Sequence, residues 1–268
     1  MSADLSRLLN EWPYEPGKLN VRLITGDDGE PRIQVRLDLG IIQMYTEGRP
    51  DGQKPYGYDS LLEYHEAKLD EIASGRESPL PEEAGEGETP KDGGSRFSLS
   101  PEECEELRSE AVQYYHRYMA LLVLEDFEGV IRDTTRNLRV LDLCAQHAQT
   151  EADRAALEQF RPYITMMRAN AMAKQALKDN EPKAALHAID EGLDALRQYF
   201  AEQGEPQMFE ESGEVEMLRG MREALVPKLP VSQKTELKLR LERAIEQENY
   251  ELAAILRDEL RMLKDQPD

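Results

Sequence analysis

From Ser100 to Asp268 the chain carries helix signals almost without interruption, and that run limits it to a mainly helical fold. Ser100-Pro101-Glu102-Glu103 opens it. Ser at the N-cap, Pro at the first helical position and Glu at the third form a capping box whose first φ is already set. Apolar periodicity and breakers then predict helices over 101–124, 127–147, 151–160, 163–178, 182–201, 212–225, 232–247 and 250–264. Pro162 divides the third from the fourth, because a ring without an N–H cannot sit in a helix interior. Gly204-Glu205-Pro206 and the stretch Pro227 to Pro230 mark later joints.

Three short connections repeat one pattern: a polar pair, a turn-compatible residue, then a small residue on the next helix. They are Glu125-Asp126-Phe127-Glu128-Gly129, Asp179-Asn180-Glu181-Pro182-Lys183-Ala184-Ala185 and Glu248-Asn249-Tyr250-Glu251-Leu252-Ala253. Antiparallel helices joined by a tight turn need small side chains there so that their backbones can approach. The second instance resembles a tetratricopeptide repeat. Ala173 and Ala176 take small positions on its first helix, and Ala185, Ile189 and Gly192 take small, large and small positions on its second. Ordinary helical hairpins produce the same residues without kinship. The instances lie 55 and then 68 residues apart, so the middle of the chain reads as an irregular, tetratricopeptide-like bundle and not a regular solenoid.

The N-terminal part differs. Val21, Leu23 and Thr25 alternate with Asn20, Arg22 and Ile24. After the turn residues Gly26 to Pro31, Ile33, Val35 and Leu37 alternate with Gln34, Arg36 and Asp38, and Ile41 to Tyr45 offers a third strand. A helix over 59–73, apolar at Leu61, Leu62, Leu69 and Ile72, is placed to cover this small antiparallel meander. Residues 74–99 are then rich in Gly, Pro, Ser and Glu and too poor in apolar side chains to offset their ordering entropy, which predicts a flexible acidic linker. The expected organisation is a β-meander-plus-helix module over 1–73, the linker, a helical bundle over 100–230 and a helical hairpin over 231–268. In class terms the chain is mainly α with an α+β N-terminus.

The hairpin carries the most specific string. Leu237, Leu241, Ala244 and Ile245 share one helix face, and Ala253, Leu256, Leu260 and Leu263 share the matching face of the next. Leu241, Ala244, Tyr250, Glu251, Ala253, Ala254, Leu256, Arg257 and Asp258 together resemble the UVR motif of UvrB and UvrC. That resemblance implies a hairpin through which proteins associate, as in those two repair proteins, and one that also occurs in McsA and in the middle region of ClpC. The residues agree independently: a hairpin of about 30 residues has little core of its own. Leu252, Ile255 and Met262 lie off the main stripe and form a second apolar strip. The expected partner-binding set is therefore Leu241, Ala244, Tyr250, Leu252, Ala253, Ile255, Leu256, Arg257, Asp258, Leu260 and Met262. Its occupant is a protein partner or a second copy, with Arg257 and Asp258 as rim charges that give specificity.

Composition bounds the alternatives. The formal net charge is −21, and nearly all of it lies between residues 59 and 227, since 1–58 holds seven basic and nine acidic residues and 228–268 eight and nine. Phosphate binding needs accumulated Lys and Arg, so nucleic acid is not expected as the main ligand. Aromatic residues make up 6% and mean hydropathy is −0.68. No run of 18 apolar residues and no leader pattern is present, which predicts a cytoplasmic protein without a membrane span. Cys104 and Cys144 sit in predicted helices and suggest no disulfide framework. Cys144 and His147 are three apart, but two further zinc ligands are lacking nearby. No phosphate loop, G-x-S-x-G or H-E-x-x-H occurs. No cofactor, metal or enzymatic activity is expected. Tyr114, Tyr115, His116 and Tyr118 cluster on one helix, where core and surface divide them. The loop Gly48-Arg49-Pro50-Asp51-Gly52 fits tight turns and leaves a ligand role open. A DNA-repair accessory factor is the second functional expectation.

Overall fold

The computed structural model describes residues 4–74, 97–225, 240–245, 252–253 and 255–257. The chain divides into two compact units, Met1–Arg222 and Glu223–Asp268.

The first unit opens with a short helix α1 (Ser6–Glu11), which the sequence pattern did not predict. An antiparallel meander follows, with β1 (Asn20–Thr25), β2 (Pro31–Arg36) and β3 (Ile41–Tyr45) in the order β1-β2-β3. Val21 pairs with Val35 and Leu23 with Ile33, while Val35 pairs with Ile42 and Ile33 with Met44. This register gathers the apolar residues on one face, where Ile33, Val35 and Met44 are buried. The opposite face is mixed, with Ile24, Ile41 and Tyr45 beside Arg22, Arg32, Gln34, Arg36 and Gln43. Arg22 lies 4.1 Å over the Trp12 ring and donates to Gln34, which donates in turn to Gln43.

Helix α2 (Leu61–Ala73) is N-capped by Ser60, whose hydroxyl accepts from the Glu63 N–H. Its apolar side was expected to cover the meander. It instead packs Leu61, Leu62 and Leu69 into a cluster with Phe97, Leu99, Leu107, Val140 and Leu141. Ile72 stays 39% exposed. The helical segments offer α2 a larger apolar surface than three short strands can. As a result residues 1–73 and the bundle, read from the sequence as separate modules, fall within one compact unit.

The bundle comprises α3 (Pro101–Val123), α4 (Phe127–His147), α5 (Glu151–Ala156), α6 (Arg161–Lys178), α7 (Pro182–Glu202), α8 (Met208–Glu211) and α9 (Gly213–Leu225). Both bonds of the Ser100/Glu103 capping box form, at 2.8 and 3.2 Å. The segment expected as one helix over 151–160 ends at Ala156, and a 3-10 turn over Glu158–Phe160 leads into α6. Pro162 lies in the first turn of α6, where its missing N–H costs nothing. Two helical hairpins, α3/α4 and α6/α7, reverse at Glu125 (φ 58°) and Asn180 (φ 62°), each in the left-handed region. On α7, Gly192 lets α6 approach so closely that an added Cβ would stand 2.5 Å from that of Ala169.

The end of the predicted linker is also corrected. Phe97 and Leu99 are buried, and Leu99 exchanges backbone hydrogen bonds with His147 and Gln149 beside Ala148. The chain thus enters the core at Phe97, four residues before the first bundle helix. Residues 75–96 lie outside the described residues.

Candidate interaction hairpin

In the second unit, residues 240–245 are helical, as are 252, 253 and 255–257. Spacing by three and four brings Ala244, Ala253 and Leu256 together as a buried cluster, with Leu241 packed against it. Ala244 is 2% exposed, Ala253 8% and Leu256 5%. Small residues facing each other allow close approach of the two segments, and Leu241 and Leu256 fill the remaining space. This is the inner face expected from the sequence, with one correction: Ile245 is 52% exposed. A two-helix contact is narrower than a bundle-facing stripe, and Leu241 with Ala244 already defines it.

Leu252 and Ile255 are exposed at 43% and 54%, as their off-stripe positions implied. Ile245, Leu252 and Ile255 therefore present apolar surface outside the inner cluster. Arg257 is exposed as well. Tyr250, Asp258, Leu260 and Met262 lie outside the described residues.

The first unit holds a polar constellation that periodicity did not single out. Arg117 of α3 is 1% exposed and Asp133 of α4 is fully buried. They form a bidentate pair, Nε to Oδ2 at 2.7 Å and Nη2 to Oδ1 at 2.8 Å. Arg117 Nη1 also donates to the carbonyls of Tyr45 and Gly48 at 3.2 and 2.7 Å. Arg132 joins Asp133 to Glu47 and the Thr46 carbonyl. Two turns before Arg117 on α3, buried Glu110 pairs with Arg136, lies 3.3 Å from Arg49 and accepts from the Leu61 N–H. Burial, with Arg49 and Arg139 adding repulsion, pushes the Arg136 guanidinium down to about 9. The conspicuous Gly48–Gly52 loop is thus a clamp that ties the meander to α3 and α4. The Gly48 carbonyl accepts from Arg117, Arg49 lies against Glu110 and Asp51, and Asp51 accepts from Gln113, while Arg49 Nε makes no hydrogen bond.

The other chemical candidates separate. Tyr114 and Tyr118 are buried, Tyr115 is 39% exposed and His116 is half-buried, the division expected of one amphipathic helix. Cys104 and Cys144 are free and buried in the same core cluster, and burial pushes the Cys144 thiol up to about 12. Such thiols are poor nucleophiles and ligands at neutral pH. Among the described residues no group of three His, Cys, Asp or Glu side chains is placed to hold a metal ion. Among them also, no helix is long and apolar enough to cross a membrane.

Comparison with known proteins bears on the second unit alone. No curated protein and no solved structure matches the chain. One family model does match, and its span contains the Leu241–Ala244–Ala253–Leu256 cluster: residues 232–266 are a UVR motif, the UvrB/uvrC motif.

Proposed function

We propose that this protein is a non-enzymatic adaptor that docks a protein partner, or a second copy of itself, through its C-terminal UVR motif. The observation that carries the reading is apolar exposure within the matched segment. Among the described residues of the motif, Ala244, Ala253 and Leu256 are buried, with Leu241 packed beside them, while Ile245, Leu252 and Ile255 are exposed. A hairpin of about 30 residues gains most of its stability from what it packs against. Exposed aliphatic side chains beside an arginine suit the centre and rim of a protein contact. The bundle, whose α6/α7 hairpin is tetratricopeptide-like, serves in this reading as a second docking platform in the cytoplasm.

An affinity pull-down from native lysate tests it, run with the intact chain and with Leu252→Asp/Ile255→Asp. Both positions are exposed, so the double variant keeps the inner cluster and its helicity by circular dichroism. The expected result is loss of the partners captured by the intact chain. Unchanged capture contradicts the docking role.

The name of the matched motif favours one second reading, an accessory factor in nucleotide excision repair that meets UvrB- or UvrC-type proteins or DNA. The net charge of −21 opposes direct DNA contact. Fluorescence anisotropy with single-stranded and bubble DNA separates the two, since tight, salt-sensitive binding supports the repair factor over the plain adaptor.

A further inference from the structure

We infer that the bundle of the first unit holds a binding site for a small, uncharged, largely apolar molecule that carries a hydrogen-bond acceptor. The site is a cavity of about 390 Å³ walled by α3, α4, α6 and the turn before α6. That volume lies within the range of small-molecule pockets, roughly 300–1,000 Å³. Its floor is formed by Ala111, Tyr118 and Leu141, each nearly inaccessible to solvent. Its mouth is formed by Val112, Tyr115 and Phe160, which are 52%, 39% and 50% exposed. An apolar rim leading to an apolar floor is the profile of a cleft that gains by excluding water.

The polar groups define what enters. Tyr118 is 1% exposed, yet its hydroxyl makes no hydrogen bond to any described residue. A phenol in a mostly closed cleft is met by water or by a ligand's acceptor, and an acceptor that takes the water's place keeps the hydrogen bond. Its neighbour Tyr163 donates only to the thioether of Met119, at 3.4 Å, a weak acceptor. The Asn137 amide is already committed to the Ala111 carbonyl at 3.0 Å. Tyr118 is therefore the donor that stands ready for a ligand. Charge is excluded by the same inventory. Arg108, at the wall, is paired with Asp153 at 2.8 Å, and the other basic side chain of the lining is the imidazole of His116, so no free guanidinium or ammonium balances an anionic ligand. A cationic one would lose its hydration without a carboxylate to replace it. What remains is a neutral ketone, ester, amide or ether on an aromatic or aliphatic body.

The test uses the full chain and prodan, a neutral naphthyl ketone whose emission reports polarity and hydrogen bonding at its carbonyl. Saturable binding with blue-shifted emission is expected. Tyr118→Phe, which removes one oxygen and keeps the ring, is expected to weaken binding about ten-fold, the loss of one hydrogen bond in a dry site. Val112→Trp, at the exposed mouth, leaves the core untouched and is expected to block entry. Ala111→Leu fills the floor and is expected to abolish binding while leaving the melting temperature unchanged or higher. Absence of saturable binding overturns the site. Equal affinity in Tyr118→Phe overturns the acceptor requirement, and equal affinity in both Val112→Trp and Ala111→Leu places the probe elsewhere and overturns the assignment.

Discussion

Replacing Asp133 by Ala removes the carboxylate that balances the buried guanidinium of Arg117. The pair is almost wholly out of solvent, at 0% and 1% exposure, and its two bonds measure 2.7 and 2.8 Å. Arg117 would keep the Tyr45 and Gly48 carbonyls, but these are neutral acceptors and do not offset its charge. Breaking a buried pair from one side costs about 3–5 kcal/mol. Arg132 adds little to this, because it is 38% exposed and retains Glu47. For a unit of this size that cost corresponds to a fall in melting temperature of roughly 6–20 °C. Replacing both partners, as Arg117→Met with Asp133→Leu, removes the charge as well as its counter-charge. It is expected to recover most of the loss, with the shortfall set by the two freed carbonyls. Thermal and urea denaturation followed by far-ultraviolet circular dichroism measures all three proteins. If Asp133→Ala lies within about 1 kcal/mol of the wild type, or the double variant is no better than the single one, the clamp does not hold the meander to the bundle as described.

Two further outcomes follow from the same unit. Burial lowers the pKa of His65, whose Nδ1 is buried without a hydrogen bond; Glu103 opposes the shift and Lys68 adds to it. Above about pH 6.5 both folded and unfolded forms are neutral and the stability is fully present. Below it the unfolded chain takes up the proton first, so stability falls with acidity by at most about 1.4 kcal/mol per pH unit. His65→Phe, which sits between Tyr64 and Phe97, is expected to flatten that slope between pH 6.5 and 5 in denaturation midpoints; an unchanged slope would assign the acid sensitivity elsewhere. Gly192→Val drives a branched side chain against Ala169 and Leu218, whose atoms lie 2.5 and 3.2 Å from the added Cβ. Overpacking there is expected to cost about 1–3 kcal/mol by urea titration, and Ala169→Gly in the same chain should return part of it.

Local signals carried the helical boundaries well. The capping box at Ser100, the Pro162 break and the turns at Glu125 and Asn180 all depend on residues within a few positions of each other, which a sequence displays directly. The meander and its register were legible for the same reason, since alternation with period two fixes which side chains share a face. Long-range choices were not. Nothing local says that α2 packs on the bundle instead of on the strands, or that Phe97 and Leu99 leave a polar stretch to enter the core. Glu110, Arg117, Asp133 and Arg136 look like solvated helix charges until their partners arrive from elsewhere. Arg117 reaches carbonyls 72 and 69 residues away. A pair of charges at core-facing spacing on consecutive helices was the available hint, and periodicity alone reads it as a polar face. In the hairpin, the inner cluster was visible because the motif repeats it in a fixed pattern. The exposure of Ile245 was not, because a helical wheel gives direction and not the width of the contact.

Amide hydrogen exchange of the full chain, alone and in the complex it captures, tests the docking role most directly. The account predicts added protection within residues 240–257, strongest around Leu252 and Ile255, with a smaller gain on the bundle helices that form the second platform. Protection confined to the first unit, with the motif exchanging as fast in the complex as alone, would contradict it.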